Sequence, residues 1–169
     1  MSISIYDVSI PALVRGLSNL SAILDKAAAH AASKKFDSLA LAQTRIFPDM
    51  FPLTRQVQIT CDTAKGCAAR LAGVEVPKHE DSEKTLEDLQ ARVQKTLDFV
   101  KSIGAAQLEN AESRPIELKF PNSTLKFTAL KYVTDFVLPN VYFHISMTYA
   151  LLRKSGVEIG KMDYLGQIQ

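Results

Sequence analysis

The chain has 169 residues, enough for one domain with a sizeable core, and 47% of them are apolar. Its net charge of +2 comes from 20 basic and 18 acidic residues scattered among one another, which excludes the clustered basic face of a nucleic-acid binder. The opening MSISIYDVSIPAL has no basic stretch followed by an apolar one, so no secretory signal is expected, and no apolar run approaches the roughly 18 residues of a membrane helix.

A first helix is expected from about Tyr6 to Lys34. Leu13, Leu17, Leu20, Leu24, Ala27 and Ala31 step by threes and fours, which is one face of a bundle helix. Asp7 or Ser9 is the expected cap, and Pro11 is tolerable near the first turn. His30 sits near the polar end and reads as solvated. A short helical turn is expected around Leu39 to Thr44. A second long helix then starts with Asp49 as its cap and Pro52 in its first turn. It runs to about Leu71 with Leu53, Val57, Cys61, Ala64, Ala68 and Leu71 on one face. Gly66 in its interior costs about 1 kcal/mol relative to alanine, and a close helix approach would be a reason to keep it. Cys61 and Cys67 lie six apart, so on a helix they share no face and form neither a metal clasp nor an internal disulfide. They read as two small buried hydrophobes of a soluble, cytoplasmic protein.

The charged loop PKHEDSEKTLEDL follows, with His79 expected in solvent. Thr85 with Asp88 three residues on resembles a capping box, with Ser82 as a competing cap. The third helix carries Leu86, Leu89, Val93, Leu97 and Val100 on its apolar face and Glu87, Arg92, Lys95 and Lys101 on a solvated one. Gly104 ends it. The period then changes to two. PIELKF and LKF alternate around the turn residues PNST, which predicts a hairpin over about 114–127 with one apolar face packed on the helices. A fourth helix runs from about Thr128 to Lys154, and a tail over about 156–169 covers one end of the bundle. The expected fold is therefore all-α, a single four-helix-bundle domain over 1–169 with a small β-hairpin inserted before the last helix.

Gly-rich phosphate loops, a Gly-x-Ser-x-Gly elbow and paired His-Glu metal motifs are all missing. What remains is one stripe on the fourth helix: Val133, Val137, Asn140, His144, Thr148 and Leu151. It is apolar at both ends and polar in the middle, and buried polar groups there must find partners. Pro139 has no N–H and crowds the carbonyl of Asp135, so a kink is expected one turn before His144. Gln56 and Thr60 of the second helix flank the same space. His144 reads either as a site residue in a pocket between helices two and four or as a core histidine with its hydrogen bonds satisfied.

Three stretches, DVSIPALVRGLSNLSAILDKAAAHA, LAQTRIFPDMFPLTRQV and FHISMTYALLRKSGVEIGKMDYLG, resemble the DinB/YfiT-like superfamily of four-helix bundles. The resemblance covers nearly the whole chain and is narrowest to a branch known only as a domain of unknown function. It implies a divalent metal, zinc or nickel, held by one histidine from the second helix and two from the fourth, in thiol-dependent isomerases and transferases. The matching positions here are Gln56, Asn140 and His144, so one of the three is a histidine. Asn and Gln oxygens are weak ligands for these metals beside imidazole.

Three functions stay open from the sequence. In the first, an enzyme uses His144 as general acid or base, in an isomerisation or a transfer reaction like those the resemblance implies. In the second, a module binds a small molecule through Gln56, Asn140, His144 and Thr148 without catalysis. In the third, the chain is a homodimeric structural protein with His144 in its core. A small-molecule partner is the expectation, with neither nucleic acid nor membrane.

Overall fold

The computed structural model describes residues 3–167. Four long helices form the bundle: α1 (Ile5–Lys34), α3 (Leu53–Ala72), α4 (Leu86–Lys101) and α6 (Leu138–Lys154). Short helices α2 (Leu39–Ala42), α5 (Ala129–Lys131) and α7 (Lys161–Leu165) and the hairpin β1 (Pro115–Phe120) and β2 (Ser123–Thr128) complete it. Around the bundle the order is α1, α4, α3, α6 and back to α1. The core is one continuous cluster, and the six expected α1 residues from Leu13 to Ala31 all lie in it. Among the described residues no helix is long and apolar enough to cross a membrane.

The helix starts correct two expectations. The cap of α1 is Ser4, whose hydroxyl accepts the Asp7 N–H while the Asp7 carboxylate accepts the Ser4 N–H at 3.0 Å. Asp7 is thus the acidic half of the box, and Ser9 turns its hydroxyl to the Ile5 carbonyl instead. Asp49 does not cap α3. Pro52 holds that position in extended backbone, and no side chain caps the helix. The proline ring carries no acceptor, so this cap residue cannot take an N–H of the first turn. The start of α3 is pinned from outside: the Leu53 N–H bonds the Thr44 carbonyl at 2.9 Å, and the Thr54 hydroxyl bonds the Ala42 carbonyl at 2.9 Å. Thr85 caps α4 with Asp88 as its reciprocal partner, which decides against Ser82.

The expected kink at Pro139 takes another form. Residues Tyr132–Val137 form a π-helical turn between α5 and α6, in which the Leu138 N–H bonds Val133, five residues back. A π turn adds one residue to the helix, which absorbs the proline's missing donor while the helix continues. Pro139 sits in the first turn of α6, where a missing N–H is tolerated.

The hairpin pairs Ile116 with Phe127 and Leu118 with Leu125. Ile116 and Leu118 are buried, whereas Phe120 and Leu125 stay exposed, so only the half nearest the helices packs. Gly66 is not a helix contact. A side chain there would collide with the guanidinium of Arg70, which lies over it and donates to the Tyr132 hydroxyl at 3.2 Å. The tail buries Val157 and Ile159 and then lays α7 along α1. The last two residues of the expected tail lie outside the described residues.

Candidate functional site

Gln56 stands in the first turn of α3 and His144 in the second turn of α6, and these two helices pack directly together. The abrupt start of α3 leaves the Phe51 carbonyl just outside the helix. The Gln56 amide donates to it through Nε2 at 3.2 Å. That bond orients the amide and turns Oε1 toward α6, where it lies 2.7 Å from His144 Nδ1. A carbonyl oxygen only accepts, so Nδ1 carries the proton and Nε2 holds the lone pair. No hydrogen bond links that Nε2 to another described residue.

Two threonines hold the backbone behind this pair. Thr60 donates to the Gln56 carbonyl at 2.9 Å, and Thr148 donates to the His144 carbonyl at 3.0 Å. Each satisfies its own hydroxyl within its helix, which removes the cost of burying it. Thr148 therefore supports the His144 turn and does not reach Gln56. Asn140, one turn before His144, is half-buried, and its amide bonds no other described side chain at the pair. Of the four residues named from the sequence, the structure brings His144 and Gln56 together.

His144 is 8% exposed. Burial, and after it the positive charge of Arg55, hold its pKa below the ordinary 6.5, so the ring is neutral at pH 7. Phe143 meets the imidazole edge-on with centroids 5.2 Å apart. Phe143, and Phe51 whose carbonyl holds the Gln56 amide, are 56% and 54% exposed. Five surface concavities, from about 210 to about 540 Å³, are lined by other residues. The pair is thus a buried contact with the exposed Phe143 ring against the imidazole. Chemically, it offers a neutral imidazole with a fixed tautomer, able to accept a hydrogen bond or a proton at Nε2.

The three positions that would hold a metal are Gln56, Asn140 and His144. His144 Nδ1 is protonated toward Gln56, and Gln56 Oε1 is spent on that bond. One imidazole nitrogen is left among two amides, and among the described residues no cluster of three His, Cys, Asp or Glu side chains is placed to hold an ion. This donor set does not fit zinc or nickel. Cys61 and Cys67 are free and buried, and burial pushes both thiols up to about 12, which makes them inert.

Three residues differ from their reading in sequence. His30 is half-buried beside Phe36, with ring centroids 5.9 Å apart. His79 is half-buried, and both its ring nitrogens are enclosed with no described hydrogen-bond partner. Burial, then the charges of Lys65, Lys95 and Arg92, hold its pKa low. Arg92 is 4% exposed and not part of a solvated face. It pairs with Asp62 at 2.8 Å, Asp81 at 3.0 Å and Glu83 at 2.8 Å, under the loop that joins α3 to α4. The HEDSE stretch gives no periodic signal, so only its folded path could reveal that it closes over Arg92.

The chain matches the family model described as "Domain of unknown function (DUF1993)" over residues 5–165. A search of curated proteins gives no match. A solved structure, of a DinB family member protein from Shewanella denitrificans, is similar with a TM-score of 0.86 and 42% identity, covering 96% of this chain and 92% of that one. The fold and the residues matched place the chain in the DUF1993 family of domains of unknown function, on a DinB-like four-helix bundle.

Proposed function

We propose that this chain is a metal-independent member of its family that binds a small, hydrogen-bond-donating molecule at His144. The observation that carries the reading is the Gln56–His144 bond at 2.7 Å, which leaves Nε2 as a lone-pair acceptor on a ring that the exposed Phe143 meets edge-on. Phe51 and Phe143 would cover the apolar part of the molecule, and Nε2 would take its donor. If the bound molecule carries an acidic proton, the same neutral imidazole is a general base, and the reading extends to an isomerase or transferase that works without metal. A cytoplasmic setting belongs to this reading and is supported by two free cysteines.

Phenol is a suitable probe, because it joins one O–H donor to one flat ring. Titration of phenol into the labelled protein is expected to move the ring signals of His144 and the amide signals of Gln56, Phe51 and Phe143 saturably. His144→Phe keeps a flat ring, removes the acceptor and is expected to abolish the shifts at Gln56, Phe51 and Phe143. An unchanged response in that variant would sink the proposal. A homodimer that buries Phe51 and Phe143 against a second copy is the competing reading, favoured by their exposure. Sedimentation at several concentrations separates the two, since a monomer leaves both rings exposed.

A further inference from the structure

The tail returns along α1 and is held there firmly, yet no residue of α7 is fully buried. Asn19 donates to the Tyr164 carbonyl at 2.9 Å, and Lys26 pairs with Asp163 at 2.6 Å. The Tyr164 ring meets Tyr149 edge-on at 6.5 Å. Gly166 adopts φ +72°, and a side chain there would run into Asn19. A segment pinned this way, with only Tyr164 resting partly against the core, serves as a wall. Between it, α1 and α6 lies a cavity of about 400 Å³, away from the Gln56–His144 pair.

The lining of this cavity is mainly apolar. Gly16 and Ile145 form its floor, where a side-chain carbon on Gly16 would come within 3.1 Å of the Ile145 Cδ1. Tyr142, Tyr164 and Leu165 add apolar surface. Arg15 is the one charged residue in the lining; it is exposed at the cavity's edge, and no described carboxylate pairs with it. Asp163 of the tail pairs with Lys26.

We propose that this cavity binds a small monocarboxylate with an apolar body, its carboxylate on Arg15 and its hydrocarbon between Ile145 and the Tyr142 and Tyr164 rings. A planar guanidinium matches a carboxylate through two parallel hydrogen bonds. One cation in an apolar lining balances one negative charge. A single cation at the edge suits a singly charged ligand better than a multiply charged one, and a neutral ligand would forgo the charge-assisted bond.

Octanoate and its neutral counterpart octanamide test this on the full chain, by calorimetry and by amide and methyl NMR. Octanoate is expected to bind saturably, shift signals of Tyr142, Ile145 and Tyr164, and exceed octanamide by about threefold or more. Arg15→Gln is expected to bring octanoate down to the level of octanamide without changing the latter. Ala12→Trp, which fills the cavity from its rim, is expected to lose both. Equal binding of acid and amide, an Arg15→Gln variant with unchanged octanoate affinity, shifts centred on the His144 ring, or no saturable binding would each overturn the proposal. Phenol binding at His144 is independent of these outcomes, so the two sites fail separately.

Discussion

At Gln56 one amide serves two partners, and the order of those bonds decides the chemistry of the imidazole. The Phe51 carbonyl takes Nε2, Oε1 is left for His144, and the proton follows to Nδ1. Gln56→Ala removes both bonds and leaves a buried imidazole nitrogen without its acceptor, so we expect a loss of about 1–3 kcal/mol in chemical denaturation. Gln56→Glu is expected to reverse the pKa shift of His144, because a carboxylate beside Nδ1 favours the imidazolium. The pH dependence of stability follows from the same groups. His144 and His79 are both held below the ordinary 6.5 in the folded chain. The unfolded chain therefore binds more protons as the pH drops. The stability tied to their neutral forms is complete above about pH 6.5 and is lost as the pH falls through the lowered folded values. The melting temperature should decline from about pH 7 to 5, and His79→Leu should flatten that decline. A variant whose curve stays parallel to the parent's would rule out the His79 contribution. Lys65 and Asp62 on α3, Arg92 and Lys95 on α4, and Glu80, Asp81 and Glu83 of the loop are the charges near His79 in this cluster.

The elements were the most legible part of the chain, because steps of three and four along α1, α3 and α4 need no tertiary information. The Thr85–Asp88 box was legible for the same reason, since both halves lie within one turn. The start of α3 was not. Its N–H groups are served by the Thr44 carbonyl and by backbone, and a distant backbone acceptor leaves no mark in sequence. These two starts make a paired prediction. Thr85→Ala is expected to cost about 1 kcal/mol in chemical denaturation, whereas Asp49→Ala is expected to be neutral. A comparable loss at Asp49 would restore it as a cap. The fourth helix shows how a sequence rule can name the right residue and the wrong outcome. Pro139 does disturb the ladder, but a π turn over Tyr132–Val137 takes up the disturbance before α6 begins.

For the whole molecule, the loop between α3 and α4 and the tail were the parts least open to reading. Arg92 sits on α4 between Leu89 and Val93, but the loop carries Asp81 and Glu83 back over it and α3 supplies Asp62. A charge on a helix reads as solvated until the chain that covers it is placed. Arg92→Ala would empty a buried position and leave Glu83 without its cation, while Asp62 and Asp81 keep Lys65 and Arg55, and we expect a loss of about 1–3 kcal/mol in urea unfolding. A loss below the scatter of surface substitutions would show that the cluster is solvated after all. The site was half legible. The polar stripe singled out His144, and the resemblance pointed to Gln56. That these two would bond each other, with Asn140 aside and Thr148 turned to its own helix, depends on packing between α3 and α6. At the positions the resemblance assigns to a metal, the bundle thus holds a hydrogen bond between Gln56 and His144. The most direct test is long-range proton–nitrogen NMR of the His144 ring at pH 7, with and without added zinc. Protonated Nδ1, unprotonated Nε2 and no response to stoichiometric zinc are predicted; a proton on Nε2, or ring signals that shift with one equivalent of zinc, would contradict the account.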